Sequence, residues 1–448
     1  MKFNKPRGTR DFLFEEMKNR KKVENILRDV FENYAYQEIK TPLFEELSLF
    51  TTKSGDQIVE QLYNFEDKSG RELALRPELT APVARLYLNE LQKVAKPLKL
   101  YYFGSCFRYE RPQKGRFRQF WQLGCELIGA KFPEGEAEII AMAEDCLNRL
   151  GLNEAEIHIN NLSIIRNLFK SFEIDEDIQE KIMILIDKGN KELLVSSLND
   201  KEQFDINNDL VTILINLLDL IGGDEVLDDI FKLFKNYENL DNVKDSLNDL
   251  VQFVDCLKSF NVKNYKINPS VARGLDYYTG IVFEIYIPSL GAQKQVAGGG
   301  SYNLVKLFGG ESVESTGFAF GFDRLMNAYD EIVNQKNKND KNSNQNNGNI
   351  LEEAIVDIYV APMSDNTRDY SFKIAQTLRK DNKKVELDLA QRKFKKLIKA
   401  ADKLNSKYIV LIGEDELSKN SVNIKNMSTG EQELVAIGDV SDYFNSKL

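Results

Sequence analysis

The sequence predicts a mixed α/β protein of several domains: an antiparallel-sheet domain split along the chain, a helical module inserted into it, and a small C-terminal α/β domain. Three observations carry this prediction. The 448 residues exceed what one hydrophobic core organises, so two to four domains are expected. Residues 160–262 turn rich in Leu, Ile, Asp, Lys and Asn with apolar residues at helical spacing, whereas strand signals lie on both sides of them. Residues 334–349 hold eight Asn and almost nothing apolar, so they cannot bury surface and read as a flexible linker. The boundaries that follow are 1–159 with 263–333, 160–262, a linker at 334–352, and 353–448.

In chain order, FEEMKNRKKVENILRDVFENYAY (14–36) has helical periodicity, and QEIKTPLFEEL (37–47) reads as extended chain around Pro42. LKLYYFGSCFRYE (98–110) and QFWQLGCELIGA (119–130) read as two strands of a hairpin, with residues 111–118 as its loop. EGEAEIIAMAEDCLNRLG (134–151) reads as a helix closed by Gly151. EIHIN alternates as a strand does. After the helical module, VARGLDYYTGIVFEIYI and STGFAFGF restore strand signals, and DRLMNAYDEIV begins a helix. Beyond the linker, IVDIYVAP, VELDLA and KYIVLIG alternate with helical patterns at 366–380 and 391–405, as a small α/β domain requires.

The totals exclude several classes. No run of about 18 apolar residues occurs, so no membrane span is expected, and the N-terminus lacks the apolar core of a signal peptide. Cys106, Cys125, Cys146 and Cys256 form no CxxC pair; they read as free thiols of a cytoplasmic protein rather than a zinc site. The single histidine, His158, excludes a His–His metal pair and reads as an ordinary strand residue. A net charge of −10 argues against a protein coated in nucleic acid, but leaves room for local basic patches.

One such patch opens the chemistry. Arg108, Arg111, Lys114, Arg116 and Arg118 fall within the hairpin loop and its entry. Side chains alternate along a strand, so Arg108 and Glu110 share one face, and Phe120, Gln122, Gly124 and Glu126 share another. If these faces coincide, the sheet presents a guanidinium, an aromatic, an amide, a gap and a carboxylate in a row. Gly124 then leaves room for a ligand, and the guanidinium forks onto phosphate or carboxylate. A salt-bridged hairpin in water is the plain alternative, and the pattern alone does not choose.

FRYERPQKGRFRQF resembles motif 2 of the class II aminoacyl-tRNA synthetases, through Phe107, Arg108, Glu110, Arg116 and Phe120. GFAFGFDRL (317–325) resembles motif 3, with Arg324 at the helix start, and the stretch around Pro42 resembles motif 1, a dimer element. RGLDYYTG (273–280), AGGGSYNLV (297–305) and RPELTAPVAR (76–85) narrow the resemblance to the histidyl-tRNA synthetase family over nearly the whole chain. Leu79 stands where many relatives carry glycine.

The resemblance implies a class II catalytic domain with a helical insertion and an anticodon-binding C-terminal domain. It implies a ligase that activates L-histidine with ATP and Mg²⁺ to histidyl-adenylate, then transfers histidine to tRNA(His), as a cytoplasmic homodimer. Glu78, Thr80 and Gln122 would hold the α-ammonium end of histidine, with Leu79 also in the histidine site. Glu126, Tyr277 and Tyr278 would surround its imidazole. Neighbours on a strand face opposite ways, so Tyr278 is expected at the ring and Tyr277 partly in the core. Arg108 and Arg273 would be the catalytic pair, flanking the α-phosphate and the reacting carboxylate, while Glu110, Arg116, Phe120 and Arg324 would bind ATP.

QRKFKKLIKAADKLNSK (391–407) carries seven Lys or Arg against one Asp; alone it is a solvated helix face, and in this company it resembles the anticodon domain's basic surface. The cationic loop would meet the tRNA acceptor end, near the inserted module. A non-catalytic paralogue that senses histidine is the runner-up; such relatives usually lack the distal domain and these arginines. A class II enzyme for another amino acid is opposed by RGLDYY and Glu126.

Overall fold

Alternation along residues 98–128 builds the centre of the protein. The computed structural model describes residues 3–52, 59–110, 116–204, 206–235, 237, 240–272, 277–343 and 356–448. They fall into two compact units, 1–337 and 338–448.

In the first unit the strands are β1 (Gln37–Glu38), β2 (Phe44–Glu46), β3 (Tyr63–Glu66), β4 (Glu72–Leu75), β5 (Leu98–Phe107), β6 (Gln119–Ile128), β7 (Glu156–Asn161), β8 (Tyr265–Ile267), β9 (Tyr278–Tyr286), β10 (Gln295–Tyr302) and β11 (Ser315–Gly321). Eight form one sheet in the order β1-β5-β6-β11-β10-β9-β7-β8; the pairs from β5 to β7 are antiparallel, and only the edges β1–β5 and β7–β8 are parallel. β2, β4 and β3 make a separate three-stranded sheet.

Period-two alternation divides the two faces of the large sheet. Leu123, Cys125 and Leu127 of β6, with Phe318 and Phe320 of β11, join the main core under helices Phe14–Asn33 and Glu134–Leu150. Helix Glu134–Leu150 stops at Gly151, whose φ of 75° is the left-handed geometry a C-terminal glycine supplies. The other face carries Tyr102, Gln122, Glu126 and small residues, and it is left to the cavity described below.

Residues 162–259 are helical as expected, in six helices among the described residues: Leu162–Ser171, Glu176–Asp187, Lys191–Leu198, Asn208–Asp219, Glu225–Phe234 and Asp241–Ser259. Their apolar residues Ile165, Phe169, Leu214, Leu247 and Phe253 belong to the same core as the sheet, so the inserted module has no core of its own. β8 then returns the chain to the sheet beside β7. Among the described residues no helix is long and apolar enough to cross a membrane.

Helix Phe322–Ser343 runs into the segment read as linker from residue 334. Polar composition denies that stretch a core, but it contains neither proline nor glycine before Gly348, so nothing stops the helix earlier. Residues 344–355 lie outside the described residues.

The second unit holds β12 (Ile358–Pro362), β13 (Val385–Leu387), β14 (Tyr408–Ile412), β15 (Ser421–Asn426) and β16 (Gln432–Ala436) in the order β13-β12-β14-β15-β16. The first three are parallel, joined by helices Arg368–Lys380 and Phe394–Lys403; β15 and β16 form an antiparallel hairpin the sequence reading did not anticipate. Ile358, Val360, Val410, Leu378 and Phe444 fill its core.

Candidate active site

The two hairpin faces do coincide. β5 and β6 pair Cys106 with Phe120, Gly104 with Gln122 and Leu100 with Glu126. Arg108 and Glu110, just beyond β5, therefore reach the cavity that Phe120, Gln122 and Glu126 line. This cavity measures about 390 Å³, and Glu78, Thr80, Arg116, Tyr277, Tyr278 and Arg324 complete the set of expected residues on its wall.

At one end sits Glu126, 1% exposed. Tyr102 Oη donates to its Oε1 at 2.9 Å and Tyr302 Oη to its Oε2 at 2.6 Å. Burial pushes this carboxyl up to about 8, although the hydroxyls of Tyr302, Thr80 and Tyr102 favour its charge. It faces a space bounded by Tyr277 and Tyr278. A Cβ on Gly317 would stand 2.0 Å from Glu126 Oε2, so only glycine on β11 lets the carboxyl lie there. Glu78 is buried alongside; its oxygens accept the backbone N–H groups of Thr80 (2.5 Å) and Ala81 (3.0 Å), which cap helix Thr80–Leu86. Burial raises the Glu78 pKa, and those N–H groups and Arg108 restrain the rise.

Toward the other end the guanidinium groups gather. Arg108 donates through Nε to Pro77 O at 3.0 Å and lies 5.4 Å from the centre of the Phe120 ring. Arg116 pairs with Glu110 at 3.6 Å. Arg324 donates to Gln295 O at 2.8 Å; burial depresses its pKa, and the positive charges of Arg116 and Arg108 depress it further. Arg116 and Arg108 thus press on the buried Arg324, with Glu110 offsetting them in part, which is a condition an anionic ligand relieves. Beside Arg324, Asp323 is anchored by Arg20 Nη1 at 2.8 Å and by Trp121 N–H at 3.0 Å.

Two expectations change, one falls outside the described residues, and one is extended. Arg273 falls outside the described residues, so its place is not part of this geometry. Leu79 is not among the residues that line the cavity: its side chain packs with Val83, Tyr87, Leu100 and Tyr102 in an apolar cluster. Gly124 does not clear space for a ligand, because a Cβ there would meet Phe318 O at 2.4 Å; the glycine admits the neighbouring strand. Tyr277 and Tyr278 both line the cavity, ring centres 4.9 Å apart, and both are also buried in an apolar cluster with Val282 and Tyr302; Tyr277 precedes β9, so strand alternation does not keep it from the cavity.

Tyr102, Tyr302, Gln295 and Glu284 were not anticipated. Tyr102 was accessible to the alternation argument, since it shares a face with Gly104, Cys106 and Arg108. Tyr302 and Gln295 come from β10 and Glu284 from β9, and their arrival depends on strand order, which local patterning does not reveal.

The model of the histidyl-tRNA synthetase family matches residues 8–325, and that of the anticodon-binding domain matches residues 357–447. The chain is 43% identical to the histidine–tRNA ligase of Methanocaldococcus jannaschii over 445 residues, 98% of this chain and 99% of that one. Among solved structures it is similar to histidyl-tRNA synthetase from Nostoc (TM-score 0.74, 25% identity, all of both chains). It is likewise similar to the apo enzyme of S. aureus (TM-score 0.69, 28% identity, 99% of this chain and 100% of that one).

Proposed function

The chain belongs to the histidyl-tRNA synthetase family, and from that we infer how its cavity carries out histidine–tRNA ligation. ATP and L-histidine give histidyl-adenylate and pyrophosphate; the histidine then passes to the 3′ end of tRNA(His), releasing AMP. The observation that carries the assignment of roles is the meeting, in one cavity, of a buried carboxyl, Glu126, with the guanidinium groups of Arg108, Arg116 and Arg324.

In this reading histidine lies with its imidazole between Glu126, Tyr277 and Tyr278. Glu126 accepts the ring N–H, and the rise that burial gives its pKa brings carboxyl and imidazole close enough in proton affinity to share a proton. Glu78 and Thr80 serve the α-ammonium, and Gln122, whose Oε1 accepts from Cys106, turns its N–H donors to the carboxylate rather than to the ammonium the resemblance implied. The histidine carboxylate must attack an α-phosphate that is also anionic. Arg108, with Arg273, offsets the repulsion and holds the charge that gathers on oxygen in the transition state. Arg324 and Arg116 take the remaining phosphates, with Glu110 and Phe120 on the nucleotide. The nucleophile is already ionised, so positioning suffices and no side-chain base is needed.

Mg²⁺ enters with the nucleotide and would spread charge over the outer phosphates. Glu110 and Glu284 are the carboxylates on the cavity wall that would face such an ion; among the described residues no group of three or more metal-binding side chains is preformed.

The anticodon-binding domain implies tRNA binding. We assign its contact to helix Phe394–Lys403, where Lys395, Lys396, Lys399 and Lys403 are exposed and make no ion pair among the described residues. A homodimer is proposed on the exposed apolar surface of the three-stranded sheet, where Leu43, Phe44 and Phe65 are all at least 44% accessible. The cytoplasm is the proposed compartment, in keeping with four free thiols.

ATP–pyrophosphate exchange run with each amino acid separately tests the reading. Exchange with histidine alone supports it; none with any amino acid, or equal exchange with a second one, overturns it.

A further inference from the structure

Resting on the role given to Gln122, we propose that Cys106 is a positioning residue for the amino-acid site, its thiol fixing which way round the Gln122 amide stands. Cys106 is on β5, fully buried in the apolar cluster with Leu100, Tyr102 and Phe120. Its Sγ lies 3.3 Å from Gln122 Oε1, at hydrogen-bonding geometry. Burial pushes the thiol up to about 12, so it remains S–H and acts as a donor. A donor accepts only the oxygen end of an amide, which selects one of the two flips open to a glutamine.

The consequence lies at the other end of the amide. Gln122 lines the cavity, and its Nε2 makes no hydrogen bond among the described residues. With Oε1 held by Cys106, two N–H donors and one lone pair remain for the ligand. The donors suit an oxygen of the histidine carboxylate, the atom that must attack phosphorus. Released from the thiol, the amide can turn over and present oxygen to that carboxylate, an acceptor against an acceptor.

The test is pyrophosphate-exchange kinetics on Cys106→Ala, Cys106→Ser, Gln122→Ala and the double variant C106A/Q122A, with histamine binding measured by calorimetry. Histamine keeps the imidazole and ammonium but lacks the carboxylate. Loss of one hydrogen bond predicts that C106A raises KM for histidine by about two- to ten-fold. KM for ATP and histamine affinity should stay unchanged. C106S, which keeps a donor there, should fall between C106A and the parent, and the double variant should be no worse than Q122A. The proposal is overturned if C106A and C106S behave alike, if histamine weakens in step with histidine, or if the two substitutions add. If Q122A itself leaves histidine kinetics untouched, the role given to Gln122 is what fails; a large Q122A effect beside a silent C106A removes only Cys106.

Discussion

Replacing Glu126 with Gln removes a group able to carry charge and changes almost no volume, and the surroundings say what that costs. Both carboxylate oxygens are engaged, one by Tyr102 and one by Tyr302, at 1% exposure. Glutamine keeps one acceptor; its NH₂ cannot take the second tyrosine's proton and cannot accept from an imidazole N–H on that side. In the complex, where Glu126 and the imidazole share a proton, the lost hydrogen bond is charge-assisted and worth about 1.5–3 kcal/mol, so kcat/KM for histidine should fall by about 10- to 100-fold. The nucleotide end is bounded by other residues, and KM for ATP should hold. A second readout follows from titration. The native pKa of about 8 lies above the ordinary carboxyl value, because burial disfavours the charge. The folded protein then binds a proton that the unfolded chain has released, so this group's contribution to stability falls as pH rises from the carboxyl range to about 8. E126Q lacks that loss and should gain stability relative to the parent across the same window, then run parallel to it above. Pyrophosphate exchange with varied histidine or ATP, and urea melts at several pH values, measure both. Equal losses for the two substrates, or a stability difference that ignores pH, would falsify the account of Glu126.

Arg324→Ala should lower exchange by about 10²- to 10³-fold, as removal of one fixed charge donor does, while equilibrium histidine binding stays near normal; a matching loss of histidine binding counts against its place on the phosphates. Gly317→Ala drives a methyl into the space of Glu126 Oε2, so KM for histidine should rise several-fold with little change for ATP; an unaltered KM would mean that the carboxyl is free to move. Lys396→Glu with Lys399→Glu should weaken tRNA charging and flatten its salt dependence without touching pyrophosphate exchange, since phosphate contacts act by counterion release. Exchange that falls along with charging places those lysines elsewhere.

Much of the fold and most of the site could be read from the chain because both are written in short-range order. The hairpin alternation placed Arg108, Phe120, Gln122 and Glu126 on one surface, and Gly151 marked a helix end correctly. Errors arose where neighbours distant in sequence decide. Gly124 looked like space for a ligand and is space for β11; Leu79 adjoins the site in sequence, but its side chain points into the apolar cluster. Tyr302, which fixes the Glu126 carboxylate, lies 176 residues away from it along the chain. The helix beyond residue 334 shows the converse: composition denies a segment a core without denying it a regular backbone.

The contact between Arg20 and Asp323 spans 303 residues and is buried on both sides. A ribosome delivers the guanidinium early and its carboxylate only after most of the first unit has been made. Until then the cation must stay wet or strain an apolar setting, because an uncompensated charge is costly to enclose. The nucleotide end of the cavity therefore cannot close on a partial chain, and a truncated product ending before residue 323 should be left without a competent ATP pocket.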